Sequence, residues 1–397
     1  MGFFKYGSAL LLLLVSLGES SIIPRANDAA PDYDVLVIGG GPSGLSALSG
    51  LARVRRKTLL LDSAEYRNEY TRHMHDVIGN DGKFSHLELS PNKRAGTVPA
   101  VFRYNAREMI ARYPTAYMKN ATVTSIDSIN NGSSFVTTDA NGTTYSSRKI
   151  ILATGLSDVL PDTPGVKDAW QRGIFWCDWC DGYEHRDQKF GILGSIVDSV
   201  GSVIESETLF HDIVVFANGT YTDENVATLN TNRPGWVTQF QKYGVVINNA
   251  TITSIDRLQD GAVVHNVTTD SEYDKFQVNL ADGSAVERDA FITNFPEIQH
   301  STLGASLGVQ VYGEKMIVDA GSMRTAAVGV FAVGDANSDN ATNVPHAMYS
   351  GKKAAVYVHV EIEKQYAATL VQKREEENIH ERMGNDLEDL WKRLSSD

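Results

Sequence analysis

Short apolar runs, each followed by a turn or a helical pattern, recur along most of the chain. The first run, 33–38, leads into a glycine-rich turn and then into apolar residues at helical spacing, among them Leu45, Leu48 and Leu51. Further apolar runs that predict strands lie at 57–61, 149–152, 189–193, 213–216 and 329–333. Strands that alternate with helices predict an α/β fold, here with two Rossmann-like nucleotide-binding units.

The first glycine turn has the spacing of a dinucleotide-binding motif. It consists of Gly39, Gly40, Gly41, Pro42, Ser43 and Gly44. Gly39 allows the tight turn, Gly41 lets the backbone approach a pyrophosphate, and Gly44 lets the helix pack close to the strand. Asp62 ends the next strand about 20 residues later, where an acidic side chain meets the ribose hydroxyls. The strand, turn, helix and acid together predict an adenine dinucleotide site.

The second glycine turn departs from this pattern. Ile196 stands where the second turn should have its pyrophosphate-facing glycine, and we expect its β-branched side chain to occupy the space of the phosphate. No arginine follows Phe216 to receive the 2′-phosphate of NADPH. These features favour a Rossmann unit that has lost its nicotinamide cofactor, and a nucleotide bound in another way remains the alternative.

Length and charge narrow the possible partners. A chain of 397 residues is long enough for two domains with their own cores. The formal net charge of −13 argues against nucleic acid and anionic membrane surfaces as partners. We therefore expect neither a nucleic acid nor a membrane partner.

The N-terminal residues have the pattern of an export signal. Lys5 precedes the apolar run 9–17, which is too short to span a bilayer, and small residues follow at Gly18 and Ser20. This pattern predicts a signal peptide over 1–20 and a secreted, extracellular protein; a buried N-terminal strand or an anchor is the alternative. N-x-S/T sequons, which suggest a glycosylated surface, occur at Asn120, Asn131, Asn141, Asn218, Asn249, Asn266 and Asn340.

The two cysteines of the chain, Cys177 and Cys180, form a CxxC pair. A disulfide across so short a loop contributes little to the fold, so the pair indicates a disulfide that opens and closes during a reaction. An incidental close pair and half of a zinc site are the alternatives, and the chain lacks the second Cys/His pair that zinc requires.

In combination, these motifs resemble the low-molecular-weight thioredoxin reductase family over roughly residues 34–355. The matching residues are Gly39–Gly44, Asp62, Ala153-Thr154-Gly155, Cys177, Cys180-Asp181-Gly182, Gly334-Asp335 and Pro345-His346-Ala347. Within the family, the segments Cys180-Asp181-Gly182-Tyr183-Glu184 and Tyr66-Arg67-Asn68 are similar to those of a fungal branch. That branch contains secreted FAD-dependent sulfhydryl oxidases and the dithiol oxidases that close the epidithio rings of gliotoxin-type toxins.

The resemblance implies a domain organisation and an assembly. A discontinuous FAD-binding domain is expected at 30–160 and 296–360, with the CxxC-bearing, degenerate NADPH-type domain at 161–295. Residues 361–397 are expected to form a charged tail or docked terminal helix. Its predicted apolar stripe is Leu387, Leu390, Trp391 and Leu394. The family also implies a homodimer.

The resemblance also assigns roles around the CxxC pair. Cys177 would exchange with substrate, Cys180 would lie against the flavin, and Asp181 would move protons, although Asp181 could instead merely complement a helix dipole. Trp176 and Trp179 could shield the flavin or receive an apolar substrate, and ordinary core packing is an equal alternative.

Other residues are implied to contact the cofactor. The FAD contacts implied or predicted outside the first turn are Asp62, His75, Gly155, Gly334, Asp335, His346 and Ala347. His73 and His75 have no third ligand nearby in the sequence, so we expect a loop that lines the flavin and no metal site.

The function that these features favour is a secreted thiol oxidase. It would oxidise small-molecule thiols such as glutathione, or thiol-bearing peptides, with O2 as acceptor and hydrogen peroxide as product. An NADPH-dependent disulfide reductase and a module that binds a dithiol metabolite are the alternatives.

Overall fold

The computed structural model describes residues 31–80, 96–339 and 342–394. The predicted signal peptide and the sequon at Asn340 lie outside the described residues, and so do the side chains of the apolar stripe predicted near the C-terminus.

The described chain forms 21 strands and nine α-helices. The strands are β1 (Tyr33–Ile38), β2 (Thr58–Asp62), β3 (Ala116–Asn120), β4 (Val123–Ile129), β5 (Ser134–Asp139), β6 (Thr144–Leu152), β7 (Leu156–Asp158), β8 (Ile174–Phe175), β9 (Lys189–Leu193), β10 (Asp212–Phe216), β11 (Val246–Asn248), β12 (Ile252–Gln259), β13 (His265–Asn266), β14 (Ser271–Glu272), β15 (Lys275–Leu280), β16 (Ala285–Arg288), β17 (Ala290–Thr293), β18 (Glu297–Gln299), β19 (Val311–Tyr312), β20 (Lys315–Met316) and β21 (Val330–Ala332). The helices are α1 (Pro42–Arg53), α2 (Pro99–Ala111), α3 (Val166–Ala169), α4 (Asp178–Asp181), α5 (Ile196–Ser206), α6 (Asp223–Asn232), α7 (Trp236–Tyr243), α8 (Leu303–Ser306) and α9 (Val344–Leu394). Two 3-10 turns lie at Tyr183–His185 and Gly334–Ala336.

The first sheet contains the two outer segments of the chain. Its order is β3-β2-β1-β6-β5-β4, with β21 paired in parallel with the last residues of β6. Strand β1 runs parallel to both β2 and β6 and is apolar on both faces. Its inner residues Val35, Leu36 and Val37 are fully buried, as expected for a central strand covered on both sides.

The middle of the chain forms a second, all-parallel sheet in the order β11-β10-β9-β17-β8. A three-stranded antiparallel sheet, β12-β15-β16, accompanies it. Apolar residues on the two faces of the parallel sheet, Phe190 and Phe291 among them, are fully buried. The predicted α/β fold with two Rossmann-like units is therefore confirmed.

The two sheets are joined by a short antiparallel ribbon of β7 and β18. Ile298 pairs with Ser157, so the chain enters and leaves the second unit side by side. This ribbon places the middle segment, with its cysteines, next to the first glycine turn.

Helix α1 packs closely against α9. A Cβ atom added at Gly351 would lie 2.0 Å from the carbonyl oxygen of Ser43, and one at Gly50 would lie 2.8 Å from Cβ of Ala355. These glycines let α9, from the far end of the chain, pack against the start of α1. Within the described ranges, we find no helix with both the length and the apolar character needed to cross a membrane.

Candidate active site

A cavity of about 480 Å³, which we call the large cavity, opens between the first glycine turn and the CxxC segment. Loops after β1, β2 and β6, the start of α9 and the second unit all contribute to its wall. The predicted site residues that line it are Gly39, Gly41, Pro42, Ser43, Asp62, His75, Gly155, Cys180, Asp181, Asp335 and Ala347. Four predicted residues, Gly44, Cys177, Gly334 and His346, are not part of that lining.

The glycines of the first turn meet different surroundings. A Cβ atom at Gly44 would lie 2.0 Å from the carbonyl oxygen of Gly39, so Gly44 permits close contact between helix and strand. A Cβ atom at Gly41 would meet nothing within 4 Å, although Gly41 lines the cavity. The backbone at Gly41 therefore leaves open space where a ligand can approach the start of α1.

Asp62 lies at the end of β2 and is only 1% exposed. Its carboxylate accepts a hydrogen bond from the Tyr66 hydroxyl at 2.6 Å and pairs with Arg107. It also lies against Gly40, where a Cβ atom would be 2.0 Å from Oδ2. The acid is thus held in a fixed position at the rim of the glycine turn.

The remaining residues of the C-terminal motifs support the turn. Gly334 has a φ of 69°, and a Cβ atom there would lie 2.6 Å from Oγ of Ser43. Its N–H donates to Oγ of Ser350 at 2.8 Å. His346 Nε2 lies 2.8 Å from Oδ2 of Asp339, away from the cavity lining.

The cysteines are joined as a disulfide at the start of the short helix α4. Cys177 caps the helix through its carbonyl oxygen, which accepts from the N–H groups of Cys180 and Asp181 at 3.2 Å. Cys180 and Asp181 line the large cavity, whereas Cys177 does not. The two cysteines therefore differ in their relation to the cavity, since only Cys180 is part of its wall.

The two tryptophans of the segment lie in different environments. Trp176 lines the large cavity and stacks on Trp170, with ring centres 5.4 Å apart. Trp179, between the cysteines, is 66% exposed. Trp176 therefore takes part in core packing, whereas most of the Trp179 side chain is exposed and takes little part in it.

Asp181 is a carboxyl group with a strongly perturbed pKa. Burial, and next the nearby charge of Glu184, raise its pKa to about 7, against the opposing effect of His75 and His185. A carboxyl with this pKa is able to hold or release a proton near neutral pH.

Arg67 connects both sides of the cavity. Its guanidinium contacts Asp158 on β7 and Glu297 on β18, the latter at 3.0 Å. It also lies 3.0 Å from Oδ2 of Asp335, and its Cζ is 4.8 Å from the ring centre of Trp176. The pKa of Asp335 lies above its ordinary value because the group is buried, and the positive charge of Arg67 opposes this increase. Arg67 therefore fixes Asp335 and the ribbon strands relative to the CxxC segment.

The loop that follows Arg67 is attached to the second unit. Arg72 Nη1 and Nη2 contact the buried carboxylate of Asp274 at 2.8 and 2.9 Å. Gln171, at a φ of 63°, accepts a hydrogen bond from the N–H of Tyr70 at 2.9 Å. These contacts hold the loop so that His75 reaches the cavity.

At the second glycine turn, the structure contradicts the prediction made for the Ile196 side chain. Ile196 is the first residue of α5, and its side chain is fully buried in the core of the second unit, so it does not occupy the space of a phosphate. The prediction was wrong because the apolar pattern does not show on which side of the helix start the side chain lies.

Other side chains occupy the start of α5. Thr220 Oγ1 accepts from the N–H of Ile196 at 2.9 Å, and Ser195 Oγ accepts from the N–H of Asp198 at 3.3 Å. Asp198 also places a carboxylate in the first turn, where it opposes the binding of another anion. Two of the N–H groups at this helix start are thus satisfied by side chains of the protein itself.

Sequence reasoning missed Arg67, Gln171, Glu184 and Thr220 as site-forming residues. Arg67 and Glu184 lie within the segments that resemble the fungal branch, so that resemblance was the available signal. Gln171 and Thr220 act through contacts with distant segments and carry no local signal.

Comparison with known proteins places these features in context. The pyridine nucleotide-disulphide oxidoreductase family matches residues 33–202. A probable thioredoxin reductase of Arthroderma benhamiae is 46% identical over 99% of this chain and 100% of its own length. The thioredoxin reductase sirT of Leptosphaeria maculans is 31% identical over 76% of this chain and 86% of its own length.

Solved structures are similar over most of the chain. The structure of HlmI has a TM-score of 0.70 and 25% identity, covering 87% of this chain and 98% of its own. An oxidoreductase from Agrobacterium tumefaciens has a TM-score of 0.68 and 24% identity, covering 83% of this chain and 98% of its own, and shows the shared fold.

Proposed function

The chain belongs to the thioredoxin reductase-like family of flavoproteins, and from this premise we propose that it is a secreted, FAD-dependent thiol oxidase. It would oxidise small thiols, such as glutathione or thiol-bearing peptides, to disulfides and reduce O2 to hydrogen peroxide. The observation that carries the proposal is the contrast between its two glycine turns.

The first turn fits FAD, the cofactor of this family. The open space at Gly41 leaves room for a pyrophosphate at the start of α1, and Asp62, which lines the same cavity beside the turn, would meet the ribose hydroxyls. Cys180 and Asp181 line the same cavity, on the side of the second unit. Gly41 and Asp62 would hold FAD in the cavity that Cys180 also lines.

The second turn does not offer the same site. Thr220 and Ser195 already accept the N–H groups of its helix, and Asp198 contributes a negative charge. Because no arginine stands between Phe216 and Tyr221, no guanidinium there is available to the 2′-phosphate of NADPH. Electrons would therefore enter from thiols and leave to another acceptor, for which we propose O2.

The cysteines would perform the exchange with substrate. A substrate thiolate attacks Cys177, a substrate–Cys177 disulfide forms, and Cys180 leaves as a thiolate that faces the large cavity. A second substrate thiolate attacks the substrate sulfur, which releases the oxidised product and the Cys177 thiolate. Bound FAD supplies the two-electron chemistry that removes the electron pair from the reduced cysteines.

Asp181 would manage the protons of these steps. With a pKa raised to about 7 by burial and by Glu184, it can protonate a leaving cysteine sulfur and take the proton back. Its position in the lining of the large cavity, next to Cys180 in the chain, supports this role.

An NADPH-dependent disulfide reductase is the second candidate. The names of the two relatives and the pyridine nucleotide-disulphide family favour it. The start of α5 argues against it, because a reductase of this type needs a nicotinamide dinucleotide site in the second unit.

Secretion remains part of the proposal, and in a secreted protein some of the sequons would carry glycans. Asn131 and Asn141 are exposed. Asn249 is exposed as well, but its side-chain amide makes two hydrogen bonds to the backbone of Tyr221, at 2.9 and 3.2 Å. We therefore expect glycans at Asn131 and Asn141 rather than at Asn249, which peptide mapping by mass spectrometry would test.

Anaerobic reduction of the purified FAD-loaded protein tests the choice of electron donor and acceptor. Glutathione should bleach the flavin absorbance while NADPH should not, and admission of air should restore it with hydrogen peroxide equal to the disulfide formed. Cys180→Ser is the control and should not bleach with glutathione. Rapid bleaching of the unaltered protein by micromolar NADPH would overturn the oxidase and favour the reductase.

A further inference from the structure

Behind the large cavity lies a second, much smaller one of about 10 Å³, which we call the small cavity. This volume is close to that needed to hold one water molecule. Its lining residues are polar, with the exception of Gly173. Three residues, His73, His75 and Asp181, line both cavities and so lie between the large cavity and the small one.

Glu184 is one of three carboxyl residues that line the small cavity, with Asp181 and Glu272. It lies in the 3-10 turn that follows α4 and is 6% exposed. Its Oε1 is 3.5 Å from Nε2 of His75, while its buried Oε2 has no hydrogen-bond partner among the described residues. Such a buried acceptor is costly unless a water or a proton satisfies it.

The path from Glu184 continues toward the surface. Side-chain atoms of His75, Glu184 and Asp270 lie within 4.8 Å of one another. Asp270 is partly exposed, whereas Glu184 is buried. A proton on Glu184 thus has a carboxylate next to it that is in contact with solvent.

Charged groups from three parts of the chain surround Glu184. Those that face this region are Arg72, His73 and His75 from the loop before α2, Asp181 and His185 from the CxxC segment, and Asp270, Glu272 and Asp274 from the segment around β14. Arg72 is paired with Glu272 and Asp274, which leaves Asp181 and Glu184 as the carboxyls of the small cavity without an arginine contact. Two carboxyls that line one cavity of this size do not both ionise readily, so the pair retains a proton.

We propose that Glu184 is a proton-relay residue that exchanges a proton with Asp181 through the small cavity and with solvent through Asp270. The inference deepens the proposed function, because it needs a disulfide that thiols reduce but does not depend on the electron acceptor.

The protons and electrons of the thiol–disulfide exchange show at which step the relay acts. Two substrate thiols lose two protons and two electrons as they form a disulfide, and the two cysteine sulfurs gain two electrons and up to two protons. The substrate releases its proton when it becomes the attacking thiolate, whereas a proton can be taken up at the Cys180 sulfur only after that sulfur has left as a thiolate. Asp181 supplies that proton, and Glu184 replenishes Asp181 from solvent. Burial also raises the pKa of Glu184 above its ordinary value, which favours its protonated form.

The test is Glu184→Gln in the FAD-loaded protein, with anaerobic single-turnover reduction by dithiothreitol at several pH values. Flavin bleaching and alkylation of the freed cysteines are both measured. We expect slowing of roughly tenfold at pH 7 and a shift of the pH profile to lower pH by roughly half a unit or more, because Asp181 loses its negative neighbour. An unshifted profile overturns the relay.

Asp178→Asn is the matched control. Asp178 is also a buried carboxyl between the cysteines, but it contacts Ser206 in the second unit and lines neither cavity. Its variant should leave the pH profile in place. An equal shift of the pH profile in Glu184→Gln and Asp178→Asn would mean that the loss of any nearby carboxyl charge shifts the profile, and would overturn the proposal.

Infrared spectroscopy of the oxidised protein gives a second test if Glu184→Gln does not fold. The spectra are compared in the Asp178→Asn background, because Asp178, whose pKa burial raises to about 6, would contribute a carboxyl band of its own. In that background the protein should show a protonated carboxyl band that titrates near neutral pH, and the further change Asp181→Asn should leave a band that titrates at lower pH. A band that disappears entirely in Asp181→Asn would assign the proton to Asp181 alone and overturn the relay. Since neither experiment uses O2 or NADPH, failure of the relay is distinguishable from failure of the oxidase.

Discussion

Thr220 Oγ1 lies 2.9 Å from the backbone nitrogen of Ile196 and accepts its hydrogen bond. The same hydroxyl donates to the carbonyl oxygen of Ala217 at 2.6 Å. This hydroxyl therefore acts as an acceptor toward the start of α5 and as a donor toward the turn after β10. A helix start that usually receives an anion is here completed by the protein itself.

This helix start is expected to contribute to stability. Thr220→Ala should lower the free energy of unfolding by about 1 kcal/mol, the usual effect of losing a side chain that satisfies a helix N-terminus. Chemical denaturation followed by circular dichroism would measure it. Thr228→Ala, on the exposed face of α6, is the control and should change little. Equal stability of the unaltered protein and Thr220→Ala would mean that the hydrogen bond contributes nothing.

The glycines of the first turn should separate cofactor binding from folding. Gly41→Val should prevent FAD binding while the apoprotein remains folded, because the new side chain enters open space. Gly44→Ala should instead destabilise the fold, because its Cβ would lie 2.0 Å from Gly39 O. The measurements are flavin absorbance after purification and thermal unfolding of the apoproteins. Full FAD content in Gly41→Val would contradict the assigned role of this turn.

The two cysteines should have separable roles. Both Cys177→Ser and Cys180→Ser should lose thiol oxidation and keep FAD, because each sulfur forms a different bond. Only Cys177→Ser leaves a thiol that lines the large cavity, so a bulky alkylating reagent should modify it more slowly once FAD is bound. If FAD slows the alkylation of Cys180→Ser instead, the roles of the two cysteines are reversed.

Asp181 should control the rate without affecting the fold. Asp181→Asn should slow disulfide reduction roughly 10²- to 10⁴-fold, the usual range for a lost general acid or base. In the unaltered protein, the step that needs protonated Asp181 should slow as pH rises above about 7, the pKa to which burial and Glu184 raise it. Stopped-flow measurements across pH would show both effects, and a loss below about threefold would leave Asp181 a structural role only.

Asp178 should make folding stability depend on pH. Burial raises its pKa to about 6, above the ordinary 3.8. The folded state therefore binds a proton that the unfolded state has released between these values, and stability falls as pH rises through that window. Between pH 4 and pH 7, the free energy of unfolding should fall by about 1 to 3 kcal/mol less in Asp178→Asn than in the unaltered protein, as measured by denaturation at both pH values. The same fall in the variant would assign it to another group.

The sequence predicted features that depend on neighbouring residues. Strand β1, the glycine turn and α1 follow one another directly, so their apolar spacing and glycines were sufficient. Arg67 could not be placed in this way, because its partners Asp158, Glu297 and Asp335 come from distant parts of the chain. The burial of Ile196 was missed for a similar reason, since the core that receives it is assembled from several strands.

The contact between α1 and α9 has a consequence for biosynthesis. Ser46 Oγ donates to the carbonyl oxygen of Met348, 302 residues further along the chain, and Gly351 packs on Ser43. The N-terminal turn thus emerges from the ribosome long before the helix that supports it. A nascent chain that lacks α9 has an unsupported glycine turn, so stable cofactor capture should follow translation of almost the whole protein rather than accompany its first domain.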